Sequence, residues 1–136
     1  MRTAAVIGLL AGTVWVLVAL HGSWGLLLWR LPGGLPLGNA LVALALCALP
    51  VAALLLSPPG SAGRKLALAA LVVSIAWLPV SVLMAGNLNL NFSYDRGFSW
   101  ALFTAATALL AILSLAWALA QLAWRRFRDA RPVSHQ

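Results

Sequence analysis

Four long stretches of this chain contain no aspartate, glutamate, lysine or arginine: Ala4 to about Leu28, about Gly38 to Leu56, Leu66 to Ala85, and about Ser99 to Trp124. At 1.5 Å of rise per helical residue, about 20 such residues cross a hydrocarbon core about 30 Å thick. The second and third stretches only just reach that length. The chain therefore reads as all-α, an integral membrane four-helix transmembrane bundle. Composition agrees, since 63% of the 136 residues are hydrophobic and 8% are charged, against about 25% charged in an ordinary soluble domain. A single membrane domain spanning residues 1–136 is expected, ending in a basic tail over residues 125–136.

A cleavable signal peptide is the main rival for the first stretch, because Arg2 precedes it. The stretch exceeds the roughly 7 to 15 apolar residues of such a leader, and no clear small-x-small cleavage site follows Leu20. A retained helix is expected instead. Orientation follows from the basic residues, which stay on the cytoplasmic side of spans. Four spans put Arg2, Arg64, Lys65, Arg125, Arg126, Arg128 and Arg131 on one side, and Arg30 and Arg96 on the other. Both termini are thus expected inside. Trp24, Trp29, Trp100 and Trp124 fall near the expected interfaces, where an indole ring is favoured. Eight arginines against one lysine, with abundant Ala, Leu and Gly, fit a GC-rich bacterial genome, so the expected location is a bacterial inner membrane.

The net charge of +7 and pI of about 11.8 do not point to nucleic acid, because the cations flank apolar runs and form no groove-reading motif. Arg125, Arg126, Arg128 and Arg131, interleaved with Trp124 and Phe127, suit anionic lipid headgroups, each cation contributing about 1 kcal/mol near such a surface. The lone Cys47 lies inside an apolar run and reads as a small hydrophobe.

Ionisable residues inside a membrane usually mark ion paths or proton relays. The spans hold none, and the only acids, Asp95 and Asp129, lie in a loop and in the tail. Proton-coupled transport through this chain alone therefore lacks its usual machinery. His21 has no second intramembrane histidine with which to ligate haem. No nucleophile with an acid/base partner, no metal cluster and no nucleotide motif is visible, so no enzymatic activity, cofactor or metal is expected.

Small residues carry the packing signal. Gly8 and Gly12 form GxxxG, extended backwards by Ala4, and leave one face of the first helix nearly flat. Ala67, Ala70, Ser74, Ser81 and Ala85 recur at helical spacing in the third span. In the fourth, Ala101, Thr104, Ala105, Ala108 and Ala111 do the same. Pro50 and Pro79 each remove an amide donor and release a carbonyl four residues earlier, at Leu46 and Ile75, which favours a kink. The segment from Gly86 to Phe98 alternates Asn87, Asn89, Asn91 and Ser93 with Leu88, Leu90, Phe92 and Tyr94. Period-two alternation predicts an extended strand lying on the bilayer interface or on the Pro/Gly loop from Trp29 to Leu37. Tyr94, Asp95, Arg96 and Gly97 then read as a polar turn. The asparagines, with Tyr94, Asp95 and Arg96, are the candidate external contacts.

The leading expectation is a non-enzymatic accessory or scaffold protein that packs with another membrane protein or with itself. The alternative is an oligomeric pore, holin-like channel or small-solute transporter. A pore needs a water-compatible stripe, and its best candidates, Thr104, Thr107, Ser114 and Gln121, do not share one narrow face. The charge asymmetry generates a direct test. Reporter fusions after Arg30, Lys65, Arg96 and Gln136 should report periplasm, cytoplasm, periplasm and cytoplasm in turn, and an external C-terminus would sink the topology.

Overall fold

A computed structural model describes residues 2–22 and 25–130, apart from the side chain of Leu26. Among them are four α-helices and one short 3-10 helix: α1 (Arg2–His21), η1 (Gly25–Leu28), α2 (Leu37–Leu56), α3 (Ala62–Ala85) and α4 (Tyr94–Asp129). All four α-helices are long and apolar enough to span a membrane. With 20, 20, 24 and 36 residues, they measure about 30, 30, 36 and 54 Å at 1.5 Å per residue.

Helix ends are set by local chemistry, and they correct several sequence boundaries. α1 stops at His21 rather than near Leu28, with Gly22 following, a residue whose backbone freedom disfavours helix. Gly25–Leu28 then turns as a tighter 3-10 segment. α3 begins before Leu66, because the Ser61 hydroxyl accepts from the Arg64 amide at 3.1 Å and caps its first turn. It ends at Gly86, whose φ of 70° gives the left-handed cap that glycine supplies without strain.

The expected strand over Gly86–Phe98 is absent, and the expected turn at Tyr94–Gly97 is the first turn of α4. Two local effects override the alternating pattern. The Asn87 side chain donates to the carbonyls of Ala85 and Asn91 and accepts from the Asn91 amide, all at 3.0 to 3.1 Å, closing a turn where a strand would extend. Ser93, with extended backbone, then starts α4, and Asp95 lies in the first turn, where a carboxylate is favoured by the helix dipole. Leu90 takes φ of 56°, unusual for a branched side chain.

The helices do not form a symmetric four-helix bundle. α2, α3 and α4 pack mutually into a three-helix core, whereas α1 packs on α2. The seams are made of small residues: Ala52 and Ala53 of α2, Ala67 and Ala70 of α3, and Ala111 and Ala118 of α4 are buried. Small side chains let helix backbones approach closely, the usual basis of helix association in lipid, where the hydrophobic effect is absent. Leu54, Leu56 and Leu115 pack around the Ala53, Ala67 and Ala118 contact.

Two indole hydrogen bonds set the α3–α4 register. Trp77 Nε1 donates to Thr104 Oγ1 at 2.9 Å, and Trp100 Nε1 donates to Ser81 Oγ at 3.0 Å. Each helix thus contributes a tryptophan and, four residues later, a hydroxyl, and the antiparallel arrangement makes the bonds reciprocal. The same register brings Gly63 against α4, where an added β-carbon would lie 2.8 Å from Trp117 Cδ1 and 3.0 Å from Gln121 Oε1. Gly12 has nothing within 4 Å of the corresponding position. Gly63→Ala should therefore lower stability in detergent by about 1 to 3 kcal/mol through overpacking, while Gly12→Ala should not. Thermal unfolding of the two purified variants checks this, and equal behaviour would refute the close approach.

Candidate functional site

The expected site residues fall into three regions: a lateral groove, the end carrying the loop from residues 86 to 93, and the opposite, strongly basic end. Between the ends, the polar side chains of the spans are turned into the fold. Thr104 accepts from Trp77, Thr107 is buried with its hydroxyl on the Phe103 carbonyl at 2.8 Å, and Ser114 is buried with its hydroxyl on the Ala111 carbonyl at 2.7 Å. Gln121 is half-buried beside Gly63. These four are the residues that a water-lined stripe would have needed.

The groove lies between α1 and α2. It encloses about 410 Å³ and is lined by Gly8, Gly12, Trp15, Leu44, Cys47 and Val51, among other apolar residues. The one hydroxyl among its lining residues, that of Thr13, is bonded to the Leu9 carbonyl at 2.9 Å. Gly8 and Gly12 are exposed, and a β-carbon added at either would have no described atom of another element within 4 Å. The buried contacts of α1 come from Val6, Val16 and Ala19 instead. On α4, Ala101 and Ala105 face outward and Ala108 is half-buried, while Thr107, Ala111, Ser114 and Ala118 form the inner face. Pro50 and Pro79 lie inside continuous helices, the first buried and the second exposed.

At the loop end, Asn87 is committed to the turn, and Asn39 donates to the Leu88 carbonyl at 3.0 Å, tying the loop to the start of α2. A β-carbon on Gly34 would stand 3.9 Å from Leu88 Cδ1, so the loop rests against the Pro/Gly segment as well. Phe92 stacks on Trp100 with centroids 4.7 Å apart, which fastens the loop to α4. Asn89, Asn91, Tyr94 and Asp95 are exposed. Arg96 donates to the Met84 carbonyl at 3.4 Å, near the C-terminal end of α3, where cations are favoured. Arg64 does the same for α2 at the other end, donating to the Leu54 carbonyl at 3.4 Å. A cavity of about 510 Å³ brings Arg30 together with Asn39, Asn89 and Asn91. The grouping joins residues up to 61 positions apart (Arg30 to Asn91), which sequence spacing does not reveal.

At the basic end, α4 continues well past the start of α3. Arg125, Arg126 and Arg128 lie on this exposed extension, with Trp124 stacked on Phe127 at 6.4 Å. Arg131, Trp24 and His135 lie outside the described residues. Among the described residues, no group of three or more His, Cys, Asp or Glu side chains could hold a metal ion.

Sequence reasoning missed two structural determinants, Trp77 and Gly63. The signal for the first was present, as Trp-x-x-x-Ser at Trp77–Ser81 and Trp-x-x-x-Thr at Trp100–Thr104. Comparison with protein-family models, with characterised proteins and with solved structures gave no match to the chain. Fold and surface together define a class: a small all-α protein with four helices suited to crossing a membrane, consistent with a small membrane protein.

The three Asn87 bonds make its loss specific. Asn87→Ala should accelerate amide exchange across residues 86–93 by at least tenfold, the equivalent of about 1.4 kcal/mol. Asn89→Ala, which removes no hydrogen bond to another described residue, should leave that exchange unchanged.

Proposed function

We propose that the chain inserts in a bacterial inner membrane with both termini in the cytoplasm and serves as a non-enzymatic accessory subunit. Its groove between α1 and α2 receives a membrane-spanning helix of another protein. The observation that carries this reading is the position of α1. It stands outside the three-helix core and leaves Gly8 and Gly12 uncovered beside an apolar groove. Glycines one turn apart let a partner backbone approach closely, and a groove without a charged side chain suits a helix dissolved in hydrocarbon. A pore formed by this chain alone is disfavoured, because Thr104, Thr107 and Ser114 are hydrogen-bonded within the fold.

The orientation rests on the distribution of cations. Arg64, Lys65 and the arginines of the α4 extension share the end of the short α2–α3 connection, and Arg30 and Arg96 take the other. The basic extension with Trp124 and Phe127 then meets the anionic cytoplasmic leaflet.

Gly12→Leu separates partner binding from folding, because the position has open space within the chain. A photo-crosslinking residue at exposed Leu44, in the groove wall, should capture one stoichiometric membrane protein in native membranes. Gly12→Leu should abolish that capture without lowering the melting temperature of the purified protein. Crosslinking to a second copy of the chain, or to lipid alone, would overturn the accessory reading. Reconstituted alone in liposomes, the protein should give no selective ion flux; robust conductance would favour the pore.

A further inference from the structure

The cavity at the loop end is chemically unlike the groove. Arg30, Asn39, Asn89 and Asn91 line it from three separate segments, while Leu20 of α1 and Val42 of α2 supply apolar wall. Among the described residues, no acidic side chain lines it. The Arg30 side chain makes no hydrogen bond or ion pair with another described residue, and neither do the side chains of Asn89 and Asn91. Arg96, the other cation at this end, is occupied by the Met84 carbonyl. A guanidinium and two carboxamides that bond to no other described residue therefore line one space of about 510 Å³.

From this convergence we infer a binding site for a phosphate ester anion, with Arg30 engaging the phosphate oxygens and the asparagines engaging neighbouring ester or hydroxyl oxygens. A guanidinium presents its donors as a fork that suits phosphate, and such charge-assisted bonds are roughly twice as strong as neutral ones. A carboxamide offers both a donor and an acceptor, which fits the hydroxyl groups of a polyol headgroup. Leu20 lies in the last turn of α1 and Val42 in the second turn of α2, so the apolar wall leads from the polar mouth towards the spans. That geometry suits an amphiphile, namely the headgroup of an anionic phospholipid with its acyl chain running along α1 and α2. A soluble phosphate ester shares the headgroup chemistry and lacks the acyl contact. The lipid form of the site rests on the membrane reading proposed above.

The test uses the full chain purified in nonionic detergent. Native mass spectrometry with added phosphatidylglycerol should show one saturable lipid, retained at least fivefold over phosphatidylcholine. Arg30→Gln should weaken it at least tenfold, and Asn91→Leu should weaken it measurably. All these side chains are exposed, so folding should survive, and matching melting curves verify that. Arg96→Gln and the combined Arg125→Gln, Arg126→Gln and Arg128→Gln variant should leave this lipid in place, which separates it from lipid held at the basic end. Glycerol phosphate added in competition distinguishes the sources. Displacement at millimolar concentration marks a soluble ester as ligand, and failure to displace marks the lipid. Phosphatidylglycerol binding that is unchanged in Arg30→Gln, or equal to that of phosphatidylcholine, would overturn the site. Resistance of the wild-type chain to carbonate extraction reports insertion separately. Extraction would remove the membrane reading, whereas intact insertion without Arg30-dependent binding removes only the site.

Discussion

The reciprocal hydrogen bonds between Trp77 and Thr104 and between Trp100 and Ser81 hold α3 and α4, two of the three core helices, in register. In lipid, apolar surface gains nothing by leaving its solvent, so helices choose neighbours by shape and by polar contacts. The seams of this protein are lined chiefly with alanine and serine, which permit close approach at many registers. An indole donor has few acceptors available inside a bundle, and a misplaced one leaves an unsatisfied N–H. Each such bond contributes about 0.5 to 1.5 kcal/mol, yet the pair excludes sliding of α3 along α4. Trp77 is only 2% exposed, so its large ring also fills volume that the small residues leave open. Its ring lies 6.5 Å from that of Trp100.

This register explains why Gly63 is glycine. With Trp77 on Thr104, the start of α3 meets α4 at Trp117 and Gln121, where a β-carbon has no room. At the glycines of the conspicuous GxxxG motif, an added β-carbon would have no described atom of another element within 4 Å. The sequence pattern draws attention to Gly8 and Gly12 and passes over Gly63, because a motif records that close approach is possible and says nothing about where a neighbour stands. Helix number and type were legible for the converse reason, since four uncharged runs of sufficient length leave a membrane chain little choice. The helix ends were less legible. Ser61 and Ser93 moved two starts outwards by four or five residues, and Gly22 moved one end inwards by about seven. The period-two pattern over Asn87 to Tyr94 failed because Asn87 bonds locally and no second strand lies alongside to pair with it.

The candidate sites were legible only in part. Exposed asparagines and an arginine-rich helix end can be read from composition and position. The meeting of Arg30 with Asn89 and Asn91 requires the fold, because the Asn39 bond to Leu88 brings the loop over the start of α2. The arginines show why local sequence cannot assign roles. Arg64 and Arg96 each donate to a carbonyl in the last turns of a preceding helix, where the dipole makes a cation favourable. Arg30 follows η1 rather than a spanning helix, and its guanidinium bonds to no other described residue, which is what the anion site inferred above requires.

With the polar groups of the spans drawn into the α3–α4 seam, little chemical information is left on the lateral surface. On the accessory reading proposed above, partner choice depends on shape, and the shape that stands out is the recess beside Gly8 and Gly12. Charge and hydrogen bonding are displaced to the two ends. One end carries several arginines on a long helix: at about 54 Å, α4 is longer than the roughly 40 to 45 Å of a membrane with its headgroups. In the membrane reading proposed above, its apolar centre fixes where it sits and its two ends reach into or past the headgroup layers. Tyr94 and Asp95 emerge on one side, and Arg125 to Asp129 on the other. A helix anchored in this way holds its basic extension at a fixed height above the spans. On the proposed membrane reading the cations are then held at the margin of the headgroup layer, within reach of anionic lipid.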